Sequence, residues 1–225
     1  MGWRREERMV TIALPKGGEA AAGPQRGELA PGGSLEGIFI AGAAGRARGA
    51  VVAPPHPLFG GSLESPVLNE IAYACSKAGI ASLRFNWRGV GASAGEPSGD
   101  AADADADYRA ALDQMAETVE GPIVACGYSF GAAAAARVAQ GERRVDRLIL
   151  VAPPPAMLPP GGFERLARPV LVLVGERDSL VEPARLHELA RGAGGVKVAV
   201  VPMADHFFGA GLADLSRLAA AWLEV

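Results

Sequence analysis

Apolar runs and helical patterns alternate along most of the chain. Two early runs, residues 8–14 and 35–42, read as strands joined by a Gly/Pro-rich loop, an antiparallel start. Residues 49–53, Gly-Ala-Val-Val-Ala, form a short third run that stops at Pro54 and Pro55. A helix is predicted from about Pro66 to Ala78, because Val67, Ile71, Ala74, Cys75 and Ala78 fall on one face. Ser65 stands at the N-cap position and Pro66 at the first helical position, where a missing N–H costs nothing. Gly79 lies just past the end and suits a helix stop. Further strands are expected at 80–86, 122–128, 146–152, 169–175 and 196–202. Helices are expected at 103–118, with Tyr108, Ala111, Leu112 and Met115 in register, and at 130–140, 183–192 and 211–223.

From residue 49 onward strand and helix alternate. The Val/Ile/Leu runs are nearly continuous, which marks strands buried on both faces. The expected architecture is α/β: a mostly parallel, twisted sheet of about eight strands with helices on both faces. Residues 1–225 fit one domain, with no internal repeat and no linker. Only about 16 residues, rich in Pro and Gly, separate the strands at 146–152 and 169–175, which leaves no room for a lid domain.

Composition narrows the setting. Hydrophobic residues at 49% can fill a sizeable core, and a net charge of −3 gives no basic field, so nucleic acid is not an expected partner. The 30 glycines and 17 prolines fall between apolar runs and read as turn punctuation. Cys75 and Cys126 both lie in apolar segments and read as free buried thiols in a reducing cytosol, not as a disulfide framework. Arg4-Arg5 has the look of a twin-arginine start, but no apolar stretch of roughly 7–15 residues follows it. No apolar run reaches the roughly 18 residues of a membrane span. A cytoplasmic protein without a membrane partner is the expectation. The short N-terminal strands offer an edge through which a homodimer could pair.

The chemistry centres on Gly127-Tyr128-Ser129-Phe130-Gly131. An apolar strand, Pro122 to Cys126, precedes it, and a small-residue helix, Ala132 to Ala136, follows. That is the context of a nucleophile elbow, in which a serine sits on a sharp strand-to-helix turn. Glycine on both sides supplies the space the turn needs. Taken alone, the motif equally fits a serine capping a helix; the flanking pattern favours a nucleophile.

A serine hydroxyl needs a base to become nucleophilic. There are three histidines. His187 lies in a helix among Leu186, Glu188 and Arg191 and reads as surface, and His56 sits in a loop after an early strand. His206 follows the strand Val198–Val201 in a loop, Met203-Ala204-Asp205-His206-Phe207-Phe208, at the carboxyl edge of the sheet. It is the expected general base; a structural loop histidine is the bland alternative. An acid must hold its tautomer and stabilise the imidazolium. Asp178, just past the strand at 169–174, is preferred over Glu176 and Glu182. Asp205 is ranked low, because a sequence neighbour usually points away from its histidine. The oxyanion needs two N–H donors. Phe130, after the serine, supplies one, and Leu58 is the first free donor after His56-Pro57, since Pro54, Pro55 and Pro57 have none.

Two segments mimic other sites. Asp103, Asp105 and Asp107 alternate with alanines like a Ca²⁺ loop, but Tyr108 stands where that loop needs Gly and Gln114 where it needs Glu. These acids read as a helix N-terminus favoured by its dipole. Arg88 to Gly95 is Gly-rich but lacks the Lys-Ser/Thr ending of a P-loop. No His/Cys/carboxylate cluster has metal spacing, so neither metal nor cofactor is expected.

Five stretches together resemble the small, lidless bacterial α/β-hydrolases, a group related to dienelactone-hydrolase-like and prolyl-oligopeptidase-like enzymes. They are Pro55-His56-Pro57-Leu58-Phe59-Gly60-Gly61, Arg84-Phe85-Asn86-Trp87-Arg88-Gly89-Val90-Gly91-Ala92-Ser93, Gly127 to Gly131, Gly175-Glu176-Arg177-Asp178 and Ala204-Asp205-His206-Phe207-Phe208. Ser129, Asp178 and His206 follow the chain order of that fold. Members often carry His where this chain has Pro54. The resemblance implies the α/β-hydrolase fold and an ester-cleaving Ser-Asp-His hydrolase. The expected activity is therefore a carboxylesterase acting on small or exposed esters through an acyl-enzyme. Its site is expected to be open, lined by some of Leu58, Phe59, Trp87, Met157, Phe207 and Phe208. Ordinary core packing is the alternative for each of these apolar residues. Thioesterase, amidase or peptidase, and acyltransferase reactions use the same triad, and a non-catalytic binding protein could keep the fold.

Overall fold

The computed structural model describes residues 6–15, 33–44 and 47–224. Eight strands form one sheet: β1 (Glu7–Ala13), β2 (Ser34–Ile40), β3 (Gly49–Ala53), β4 (Ala81–Phe85), β5 (Ile123–Tyr128), β6 (Val145–Val151), β7 (Val170–Gly175) and β8 (Val196–Val201). Their order across the sheet is β1-β2-β4-β3-β5-β6-β7-β8. β1 with β2 and β2 with β4 are antiparallel; every other neighbouring pair is parallel. The helices are α1 (Pro66–Lys77), α2 (Ala101–Ala116), α3 (Phe130–Ala139), α4 (Pro183–Ala190) and α5 (Leu212–Leu223). The expected mostly parallel sheet with an antiparallel start is the sheet observed.

Central strands are buried on both faces, as their unbroken apolar runs require. Ile123 and Ala125 of β5 join one core, with α2, α3 and Leu186 of α4. Val124, Cys126 and Tyr128 join the other, with α1 and α5. Cys75 and Cys126 are free and buried in this second core. Ser65 does occupy the α1 N-cap, but its side chain makes no capping bond; Pro66 alone marks the start. The connection from β6 to β7 holds only two short 3-10 turns, Pro155–Met157 and Gly162–Leu166.

The strand order locates the site. From β3 the chain winds outward to β4, and from β5 it winds the other way to β8. The β3/β5 junction is thus the point where winding reverses, and ligands of open α/β sheets bind at the carboxyl ends of strands there. Ala53 ends β3 beside Gly127 of β5, and Gly175 ends β7 beside Val201 of β8. Each pair sends two loops over the same edge.

Candidate active site

Ser129 stands between β5 and α3 with φ 52° and ψ −113°, a left-handed conformation that costs a non-glycine residue about 1–3 kcal/mol. The fold imposes it. The Ser129 N–H donates to the Val151 carbonyl at the end of β6 (2.8 Å), and its own carbonyl accepts from Ala133 in α3. Both flanking glycines are sterically required. A Cβ on Gly127 would strike the Gly131 carbonyl, and a Cβ on Gly131 would strike the carbonyls of Ala53 and Pro54. The second collision shows how tightly the elbow sits against the end of β3.

His206 and Asp178 come to the same place from β8 and β7. His206 Nε2 lies 3.2 Å from Ser129 Oγ, and its Nδ1 lies 2.8 Å from Asp178 Oδ2. Both side chains are buried. The other Asp178 oxygen accepts from the N–H groups of Leu180 (2.9 Å) and Val181 (2.7 Å), so the carboxylate is fixed on both oxygens. The rivals take other work. Glu176 accepts from the Met203 N–H at 2.8 Å and so fastens the histidine loop, while Asp205 accepts from the Gly209 N–H. His187 is exposed on α4. Gly175 permits the meeting of the two loops, since a Cβ there would strike the Ala204 carbonyl.

One hydroxyl that the sequence did not single out joins this constellation. Tyr128, inside the elbow motif, donates from its phenol to the His206 carbonyl at 2.7 Å. Burial, with Asp178 and Asp205 nearby, pushes its pKa up, so the phenol stays a donor.

The loop after β3 departs from expectation. The Leu58 N–H donates to His56 Nδ1 at 3.3 Å, as part of a 3-10 turn capped by His56. Phe59 and Gly61 donate to the His56 carbonyl. Leu58 is therefore committed to the imidazole, and the first N–H without a protein acceptor after the paired prolines is that of His56 itself. Its ring lies 4.6 Å from that of Phe130, whose N–H opens the first turn of α3 and has no helical partner. Burial lowers the His56 pKa, which keeps Nδ1 available as an acceptor near neutral pH.

Known proteins share this fold. A family model described as serine aminopeptidase, S33, matches residues 58–160, from the loop after β3 through the elbow. A structure of an alpha-beta serine hydrolase homologue from Coxiella burnetii is 29% identical, with a TM-score of 0.74 over 85% of this chain and 92% of that one. A serine hydrolase without lid from Xanthomonas campestris is 25% identical, with a TM-score of 0.77 over 97% and 94%. The chain has the α/β-hydrolase fold and is similar to small, lidless serine hydrolases. An uncharacterized protein of Rickettsia prowazekii (strain Madrid E) is 27% identical to this chain over 79% of each. Among the described residues, no helix is long and apolar enough to cross a membrane.

The family-like segment after β4 proves to be a brace for the site. Asn86 accepts from the Leu63 N–H, and the Trp87 indole N–H reaches the carbonyls of Pro54 (3.2 Å) and Pro55 (3.0 Å). Trp87 is fully buried against Phe85 and Phe130, so it holds the loop rather than lining a pocket. Phe208 is likewise buried, edge-on to Tyr128, and has no surface to offer a substrate. Met157 is half-buried against the core. Phe59 and Phe207 are the expected lining residues that remain open, together with the Leu58 side chain.

The acidic ladder is also corrected. Its carboxylates pair with arginines instead of only favouring a helix dipole. Arg88 donates to Asp107 through Nη2 (2.7 Å) and Nε, and to Asp103 through Nη1 (2.6 Å); Arg137 of α3 donates to Asp105 (2.9 Å). Burial pushes the Asp107 carboxyl up, and Arg88 opposes that. Replacing Arg88 with methionine leaves this buried carboxylate without its cation, held only by the backbone N–H of residue 88. The expected loss is about 3–5 kcal/mol in denaturant unfolding, with much of it recovered by adding Asp107→Leu.

Proposed function

We propose that this protein is a serine hydrolase, specifically a carboxylesterase working through an acyl-enzyme. The observation that carries the reading is His206, bonded to Ser129 through one ring nitrogen and to buried Asp178 through the other. His206 Nε2 takes the hydroxyl proton as Ser129 Oγ bonds to the ester carbonyl carbon. Asp178 holds the Nδ1–H tautomer and stabilises the imidazolium. The N–H groups of Phe130 and His56 receive the carbonyl oxygen as it gains charge. The tetrahedral intermediate then collapses, and the alcohol leaves with the proton from His206. Water, deprotonated by His206, attacks the acyl-enzyme and releases the acid and free Ser129. The chemistry needs no group from outside the chain. The free, buried thiols of Cys75 and Cys126 suit work in a reducing cytoplasm.

A second reading has one specific support. The description of the matching family model points to amide substrates, namely release of an N-terminal residue from a peptide. A panel of matched ester, thioester and aminoacyl-amide substrates separates the two. The esterase reading predicts the highest kcat/KM on esters, with a burst of alcohol equal to the enzyme concentration whenever deacylation is slower. Turnover of the amide above the ester would replace it with the peptidase reading.

A further inference from the structure

The loop that carries His206 is strained on both sides of the histidine. Met203 and Phe208 have φ of 61° and 54°, a region that non-glycine residues rarely adopt. Ties from elsewhere hold the loop in this shape. Its entrance is bonded to the loop after β7, where the Met203 N–H donates to Glu176 and the Ala204 carbonyl accepts from the Arg177 N–H at 2.8 Å. Beyond that point the histidine depends on its own contacts. Among the described residues, the His206 carbonyl has one donor, the Tyr128 phenol at 2.7 Å. That phenol stands on a buried side chain at the end of β5. The Tyr128 ring packs against the imidazole, 5.8 Å between centroids, and edge-on to the ring of strained Phe208.

We propose that Tyr128 is a positioning residue: its hydroxyl fixes the main chain of His206 and so sets the distance between the base and Ser129. The inference rests on the reading of Ser129 and His206 as nucleophile and base. Chain connectivity makes the coupling short. Tyr128 immediately precedes Ser129. The three residues therefore close a ring of covalent and hydrogen bonds, from Oγ through the phenol and the His206 carbonyl to Nε2 and back to Oγ. Asp178 cannot set that distance alone. It holds Nδ1, and the imidazole can still swing about that bond. The margin is small, because 3.2 Å between Nε2 and Oγ is the long end of the range in which a base takes a proton. The tie also outlasts each catalytic cycle. Burial raises the Tyr128 pKa, so the phenol keeps its proton while His206 gains and loses one.

The test compares wild type, Tyr128→Phe, His206→Ala and the double variant on p-nitrophenyl acetate, with fluorophosphonate labelling rates and unfolding midpoints alongside. Phenylalanine keeps the ring against His206 and Phe208, so Tyr128→Phe is expected to fold. Its kcat and labelling rate are expected to fall about tenfold, with KM within about twofold of wild type. In His206→Ala the main-chain carbonyl still accepts from the phenol, but no imidazole remains to be placed. There the same substitution is expected to change the residual rate by less than about twofold. An equal loss in both backgrounds would make Tyr128 a scaffold residue and overturn the inference. So would a kcat within about twofold of wild type in Tyr128→Phe, or a rise in KM alone, which marks a substrate contact. Labelling of wild type without ester turnover would sink the esterase reading alone, and the labelling rates would still report on Tyr128. Wild type that neither hydrolyses the ester nor takes the label overturns both.

Discussion

Replacing Ser129 with alanine is expected to lower kcat on an aryl ester by about 10⁶-fold, with KM nearly unchanged. The substitution removes only Oγ, the atom 3.2 Å from His206 Nε2. Without it no acyl-enzyme forms, and the N–H donors left behind still bind the ester and polarise its carbonyl, which sets the residual rate. The fold should survive. Alanine inherits the same φ of 52°, and the Ser129 N–H keeps its bond to Val151. The unfolding midpoint is therefore expected to stay close to wild type, which separates lost chemistry from lost structure. Glycine at 129 makes the converse point. It carries no Cβ penalty at positive φ, so Ser129→Gly should be at least as stable as Ser129→Ala, despite an entropy cost to glycine of about 0.5–1 kcal/mol.

Asp178→Asn should cost about 10⁴-fold in kcat, again with the protein folded. The amide oxygen can still accept from Leu180 and Val181, as Oδ1 does now. The amide nitrogen then faces His206 Nδ1 in place of Oδ2. It offers a hydrogen where the imidazole needs an acceptor, so the ring moves its proton to Nε2. A ring protonated at Nε2 cannot take the proton of Ser129. Neither can the amide stabilise the imidazolium formed during attack. Far-UV circular dichroism and the unfolding midpoint check that the loss is chemical.

The sequence carried the backbone of this account well. β3 ends at Ala53 because Pro54 and Pro55 cannot donate to a strand ladder, and that boundary is visible in the residues. The elbow was legible for a similar reason, since only glycine fits where Gly127 and Gly131 touch backbone. The start of α2 was less so. It begins at Ala101, two residues before the apolar pattern suggests, because its cap is Asp100 accepting from the Ala102 N–H, one acid among several alternating with alanine. The order of strands across the sheet leaves no local trace at all.

Side-chain partners were the least legible part. Trp87, Phe208 and the acidic ladder all have ambiguous local patterns, and each is decided by a neighbour far along the chain: the Pro54 and Pro55 carbonyls, Tyr128, Arg88 and Arg137. Leu58 differs in kind. Counting prolines identifies which residues keep an N–H, but not whether a side chain two residues away has claimed it, as His56 Nδ1 does. A histidine between two prolines was the available clue, because its own N–H is the one that such a segment keeps.

The most direct test of the central claim is covalent labelling with a fluorophosphonate, followed by mass mapping of the modified peptide. A fluorophosphonate reacts with a serine only when a base activates it and donors receive the phosphoryl oxygen. Wild type is expected to take up one label, on Ser129, and Ser129→Ala to take up none. Wild type left unlabelled, or labelled to the same extent as Ser129→Ala, would contradict the assignment of Ser129 as an activated nucleophile.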